Sequence, residues 1–156
     1  MPAPGRATAF VGAIGDDHLG TIAQEFARSE SLPCRWQIRN DQPTAASSIV
    51  INAQGENQIA VSFAANEHLD PAFVRAQEDL FRSARVLLLQ LENNLDAVDA
   101  ALDSGERHRL LRVLNTAPAH PDLNADLPSA GQVLVLRERL RDRAEMIVPD
   151  SANEQR

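Results

Sequence analysis

The run Arg85-Val-Leu-Leu-Leu-Gln-Leu-Glu92 constrains the fold more than any other stretch of the chain. It is too short and too uniformly apolar for a surface helix. It reads as a strand covered on both faces, as strands of a parallel sheet are. Such sheets place ligands in a crevice beyond the carboxyl ends of their strands. Glu92 stands at that end, and a carboxylate straight after a buried run is the first candidate for chemistry.

The flanking segments supply the partners of that strand. Residues 7–15 are small and β-tolerant and end in Gly15. Asp16 and Asp17 then open a helix over residues 21–29, with Ile22, Ala23, Phe26 and Ala27 at helical spacing. Both acids fit the helix start, facing the positive end of its dipole. Residues 36–40 predict a short strand. Residues 46–52 and 58–65 alternate apolar and polar on either side of a Gly55 turn, with Ile49 and Ile51 on one face of the first run and Ile59, Val61 and Phe63 on one face of the second. That pattern is an antiparallel hairpin, half exposed and projecting from the main sheet, with Asn66 as a turn residue at its hinge.

Asp70-Pro71 starts a helix whose stripe of Phe73, Ala76, Leu80 and Ala84 runs through Ser83. Asn94 caps the next, with Leu95, Val98 and Leu102 inward and Gly105 suited to its C-terminal stop. Residues 110–114 form another core strand, running into Asn115. Beyond Pro121 the pattern weakens, with a helix over 132–143 and a short strand over 146–149 as the best readings. Helices between buried strands predict parallel pairing, hence an α/β layered sheet carrying an antiparallel flap. Asp16, Glu92 and Asn115 then share one rim.

Composition removes several chemistries. A net charge of −7 speaks against a general nucleic-acid binder, and Arg137, Arg139, Arg141 and Arg143 are interleaved with Glu138, Asp142 and Glu145 as on a solvated helix face. The chain contains no Lys, which removes a Schiff-base lysine and the lysine of a P-loop. Cys34 is the one cysteine, so it reads as a small buried hydrophobe, and no disulfide forms within one chain. His18, His68, His108 and His120 never fall at zinc-binding spacing and read as solvent-facing or capping residues. Gly12, Gly15 and Gly20 miss the dinucleotide spacing, and no Gly-x-Ser-x-Gly elbow occurs. No apolar run approaches the ~20 residues of a membrane span. A cytoplasmic protein of one domain, 1–156, is the expectation.

What remains is a rim of oxygen-bearing side chains, which suits a polyhydroxylated ligand because a carboxylate accepts from two hydroxyls at once. A resemblance sharpens this. Phe10-Val-Gly-Ala-Ile-Gly-Asp-Asp-His-Leu-Gly20 resembles the segment that follows the substrate motif in ribokinases, members of the phosphofructokinase-B (PfkB) family of sugar kinases. Gly55-Glu-Asn57 and Ala65-Asn66 resemble the turn and exit of the ribokinase lid. Leu87-Leu-Leu-Gln-Leu-Glu92 resembles the strand that ends in the sugar-binding glutamate, and Asn115-Thr-Ala-Pro-Ala119 resembles the run after the next strand. The similarity covers about residues 9–120 in unbroken order.

The resemblance implies a partial ribokinase-like domain over 1–156, with the lid hairpin at about 36–66 and residues 121–156 without a clear counterpart. It implies ATP-dependent phosphorylation of ribose at the 5-hydroxyl, with Mg²⁺ bridging the phosphates. Substrate-binding residues by position are Glu92, Ser47 and Val61. Asn153 is the ATP-side candidate, in an Asn-x-x-Glu motif that Asn153-Glu154-Gln-Arg156 half restores, and Asp150 offers a competing alignment. Lid-to-lid pairing implies a homodimer; neither nucleic acid nor membrane is a partner. Family members also carry a strand with a sugar-binding Asp, a Gly-Gly-Lys-Gly-Ala-Asn-like stretch and a Gly-Ala-Gly-Asp segment with the catalytic base. None of these occurs in the chain. The expectation is that it holds no catalytic residue and does not phosphorylate ribose by itself. The alternatives are a non-catalytic dimerisation module, or a family kinase for another sugar or a nucleoside.

Overall fold

The computed structural model describes residues 8–115 and the backbone of the strand Val133–Leu136. Strand β1 (Phe10–Gly15) leads into helix α1 (His18–Ser29) and returns as β2 (Cys34–Arg39), which pairs with β1 in parallel from Phe10 opposite Cys34 to Gly15 opposite Arg39. Asp17 caps α1: its side chain accepts from the Gly20 backbone N–H at 2.8 Å. Asp16 does not share that role. It is exposed, and its backbone N–H donates to the Arg39 carbonyl at 3.0 Å, holding the two strand ends together one step beyond the ladder.

The hairpin forms as predicted, from β3 (Ala46–Ile51) and β4 (Asn57–Ser62), antiparallel from Ala46 opposite Ser62 to Ile51 opposite Asn57. Gly55 has φ +82° at its turn, a conformation that costs glycine little. The Asn52 side chain braces the turn by accepting from the N–H groups of Gln54 and Glu56. Register puts Ile49, Ile51, Ile59 and Val61 on one face. That face is not covered: these residues are 49–67% exposed, and every residue of both strands is solvent-facing. The hairpin is therefore exposed on both sides rather than half exposed. β4 also stops before Phe63, because a 3-10 turn over Ala64–His68 takes the chain into the body.

The predicted helix through Ser83 is two short ones, α2 (Pro71–Arg75) and α3 (Glu78–Ser83), broken where the Gln77 side chain donates back to the Phe73 carbonyl at 2.9 Å. Strand β5 (Val86–Leu89) follows, then helix α4 (Leu95–Arg107) and strand β6 (Leu111–Asn115). β5 and β6 pair in parallel, and Val133–Leu136, here β7, pairs in parallel with the other edge of β6. The helix expected over 132–143 is thus corrected at 133–136, where a Val-Leu-Val-Leu run lies on an open strand edge that a helix would leave unpaired. The strand expected over 146–149 lies outside the described residues.

β5 is not covered on both faces. Val86 and Leu88 are 52% and 67% exposed, while Leu87 and Leu89 pack inward. The reason is that α2, α3 and α4 pack together on one side. They enclose Val74, Phe81, Ala97, Ala100 and Ala101 with Leu110 and, from β1, Ala13. A second cluster of Leu91, Val98, Leu102 and Leu114 adjoins it through Leu89. Gly105 is not the helix stop but lies within α4, where an added Cβ would come 2.9 Å from Leu87 Cδ2 and 3.1 Å from Arg112 Cγ. Arg109, at φ +57°, follows the end of the helix instead. The absent side chain lets α4 lie close on the sheet over Arg112, whose guanidinium pairs with Glu106 at 3.1 Å.

Candidate sugar-kinase rim and its hairpin

Each parallel pair ends at an edge that carries a polar residue. Asn115 is the last residue of β6; since Leu89 lies opposite Leu114, Asn115 falls level with Gln90, one step past the end of β5. Two residues further, Glu92 is exposed directly after the buried Leu91. Gln90 and Glu92 hold each other locally. The Glu92 N–H donates to Gln90 Oε1 at 2.7 Å, and Gln90 Nε2 donates to Glu92 Oε2 at 3.3 Å. Glu92 does not cap α4. Asn94 does, accepting from the Asp96 N–H at 2.8 Å.

Hydrogen bonds join this segment to the hairpin and on to β1. The Asn94 N–H donates to the Asn66 carbonyl at 3.3 Å, and Asn94 Nδ2 donates to the Leu69 carbonyl at 3.3 Å. Asn66 thus sits in the turn at the hairpin's exit and contributes its backbone there. At the neck, the Ala65 N–H donates to the Pro43 carbonyl at 3.0 Å, tying exit to entrance. Thr44 then bonds to Asp17 and Gly15 at the end of β1. Neither Thr44 nor its bond to Asp17 is legible in the sequence, because nothing in local periodicity marks a contact across that separation. The helix-capping signal at Asn94 is legible, but its bonds to Asn66 and Leu69 are not.

Asp17 is held below the ordinary carboxylate value of 3.8, first by the Thr44 hydroxyl and then by the backbone N–H groups of Thr44 and Gly20. Beside it an open cleft of about 330 Å³ is lined by Asp16, Asp17, Arg39, Asn40, Asp41, Gln42 and Pro43. Arg39 and Asp41 form a two-pronged ion pair across it, Nε to Oδ1 at 2.9 Å and Nη2 to Oδ2 at 2.8 Å. The pair raises the Arg39 value and lowers that of Asp41.

Ser47 and Val61 face each other directly across the hairpin ladder, both exposed. Asn153 lies outside the described residues, as do Asp150 and His120. His108 caps the end of α4 and meets Glu78 at 2.6 Å, whereas His18 and His68 are exposed. Cys34 is only half-buried, and that burial pushes its thiol up. Among the described residues, no group of three or more His, Cys, Asp or Glu could hold a metal ion. Among them, too, no helix is long and apolar enough to cross a membrane.

Residues 4–136 match the model of the pfkB family carbohydrate kinases. A ribokinase of Schizosaccharomyces pombe is 33% identical over 131 residues, covering 83% of this chain and 41% of that protein. A ribokinase of Haemophilus influenzae is 31% identical over 116 residues, covering 74% and 38%. Among solved structures, ribokinase from Giardia lamblia superimposes with a TM-score of 0.66 at 28% identity, over 74% of this chain and 36% of that one. The chain spans about two-fifths of the length of these curated relatives. With the hairpin, the parallel strands and the matched segments in their expected order, the chain belongs to the pfkB family of carbohydrate kinases.

Proposed function

We propose that this chain carries the sugar-holding rim and the lid of a ribokinase-like kinase whose reaction is ATP-dependent phosphorylation of ribose at the 5-hydroxyl. The observation that carries this reading is the hydrogen-bonded neck, which links the hairpin both to the end of β1 and to the segment bearing Glu92. Glu92 accepts from sugar hydroxyls, for which its exposed carboxylate is suited because Asn94 already caps α4. Ser47 and Val61 close over the sugar from the lid, one offering a hydroxyl and the other an apolar surface. Closure excludes water, which otherwise competes with the sugar hydroxyl for the phosphoryl group. ATP and Mg²⁺ are the family's phosphoryl donor and metal, and Asn153 is the residue proposed to lie toward the nucleotide. The proposed setting is cytoplasmic.

A general base and an anion hole each contribute orders of magnitude to such a transfer, and neither is among the residues proposed for this rim and lid. The 156-residue chain, incubated with ribose, ATP and Mg²⁺, is expected to form no ADP above the sugar-free blank. Ribose-dependent turnover would refute inactivity. Calorimetry with ribose, deoxyribose and adenosine tests the rim itself: binding lost in Glu92→Gln supports it, and no binding to any of the three removes it.

A second reading is favoured by the uncovered face of Ile49, Ile51, Ile59 and Val61. On this reading the hairpin pairs with a second copy, and the chain acts as a dimerisation module. Light scattering should give a dimer for the native chain and a monomer for the Ile59→Asp, Val61→Asp double variant. A monomer in both removes this reading.

A further inference from the structure

We infer that Asp17 and Thr44 are a positioning pair that fixes the angle at which the lid leaves the body. This rests on the reading of the hairpin as a lid over a sugar. A single carboxylate does two jobs here. Asp17 Oδ1 accepts from the Gly20 N–H at 2.8 Å and from the Thr44 hydroxyl at 2.6 Å, while Oδ2 accepts from the Thr44 N–H at 2.8 Å. The same hydroxyl accepts from the N–H of Gly15, the last residue of β1, at 2.9 Å. Thr44 thus uses its backbone N–H and both capacities of its hydroxyl on the junction between β1 and α1. β3 begins two residues later, at Ala46.

The exit leg of the lid is tied to the start of α4 by the Asn94–Asn66 bond, and the Thr44 contact is what ties the entrance leg. All the residues of β3 and β4 are exposed, so no packed face of the hairpin sets its tilt. Direction must then come from the neck, where the Ala65–Pro43 bond closes the loop, the Asn94–Asn66 bond holds the exit leg and the Asp17–Thr44 contact bolts the entrance leg to the body. The body side is rigid for a steric reason. A Cβ on Gly20 would collide with the Gly15 carbonyl and lie 3.1 Å from Thr44 Oγ1, so this junction is packed to contact. Ionised carboxylates accept stronger hydrogen bonds than neutral groups do, which suits Asp17 to hold two donors from one residue.

The test measures lid direction, not activity. In a Cys34→Ser background, spin labels at Ala53→Cys on the hairpin turn and Asp103→Cys on α4 report the lid-to-body distance by pulsed electron resonance. A second pair, Glu25→Cys and Asp103→Cys, reports the body alone. One narrow lid distance is expected in the parent. Thr44→Val should lose that single peak while the body distance stays put, and Thr44→Ser, which keeps the hydroxyl, should restore it. Asp17→Asn retains an acceptor for the Gly20 N–H and so preserves the cap. It should also lose the narrow peak, which keeps the test decisive if Thr44→Val does not fold. An unchanged lid distribution in both Thr44→Val and Asp17→Asn overturns the inference. Ribose added to the parent addresses the sugar reading separately: an unmoved lid distance speaks against the sugar, whereas the Thr44 and Asp17 variants alone decide the clamp.

Discussion

The backbone N–H of Asn94 donates to the carbonyl of Asn66 at 3.3 Å, so the exit of the hairpin and the start of α4 belong to one hydrogen-bonded unit. Glu92 lies two residues before Asn94. The hairpin's exit is therefore bonded to main chain two residues from the carboxylate proposed to hold the sugar.

Asn94 carries two separable side-chain roles. Its Oδ1 caps α4 and its Nδ2 donates to the Leu69 carbonyl. Asn94→Ala removes both, and loss of the cap alone costs about 0.5–2 kcal/mol. Asn94→Asp keeps the cap acceptor and should lie between the parent and the Ala variant in urea unfolding. Equal destabilisation by the two variants would assign the effect to the Leu69 bond instead.

Two helical glycines should respond differently to a methyl group. Gly20→Ala sets a Cβ against the Gly15 carbonyl, a backbone atom that cannot step aside, and should destabilise by about 1–3 kcal/mol as overpacking does. Gly105→Ala meets Leu87 Cδ2, the movable end of a side chain, and gains about 1 kcal/mol of helix propensity. The buried Arg112 stem at 3.1 Å gives way less easily, so the net change at Gly105 should be a smaller loss than at Gly20. Thermal unfolding of the two variants side by side checks the ranking.

Acid should release the lid neck late. Asp17 has its folded value below 3.8, so its contribution is fully present above that pH and is lost as pH falls through the lower folded value. The amide resonances of Gly20 and Thr44, both donors to this carboxylate, should titrate together with one midpoint below 3.8. A common midpoint above it would contradict the geometry.

α4 carries an avoidable repulsion. Asp99 is pushed up, first by partial burial and then by Asp103 and Asp96, one turn away on either side. The sign is opposite to that of Asp17: charging Asp99 costs more in the fold than in the unfolded chain, so this penalty sets in as pH rises past the ordinary value of 3.8 and is complete above the folded one. Asp99→Asn should stabilise the protein at neutral pH by about 0.2–0.5 kcal/mol, the scale of a like-charge helix pair. The gain should fade in unfolding experiments as pH falls below 3.8, where Asp99 is protonated in both states.

Elements whose signal is local were legible in the sequence. Period-two alternation around Gly55 gave the hairpin, Asp70-Pro71 gave a helix start, and Asn94 gave a cap. Signals that depend on what packs alongside misled. The apolar run at 86–89 has one face exposed, because a continuous run records only that a strand is greasy and not which side is covered. Gly105 carried the composition of a helix stop, yet its glycine serves a close approach to Leu87 and Arg112.

By itself, then, the sequence determined most of the strands and helices between residues 10 and 115 and their order, while the family was legible from the resemblance of particular residue runs. The elements follow from side-chain periodicity and backbone preference within a few residues. The tertiary structure alone decided that one carboxylate of the Asp16–Asp17 pair caps a helix while the other stays exposed, and that Thr44 meets Asp17 across 27 positions. It also decided that Asn94 meets Asn66. The reason is physical: a hydrogen bond between distant residues depends on where two chain segments are brought by packing, and no residue carries that position in its own chemistry.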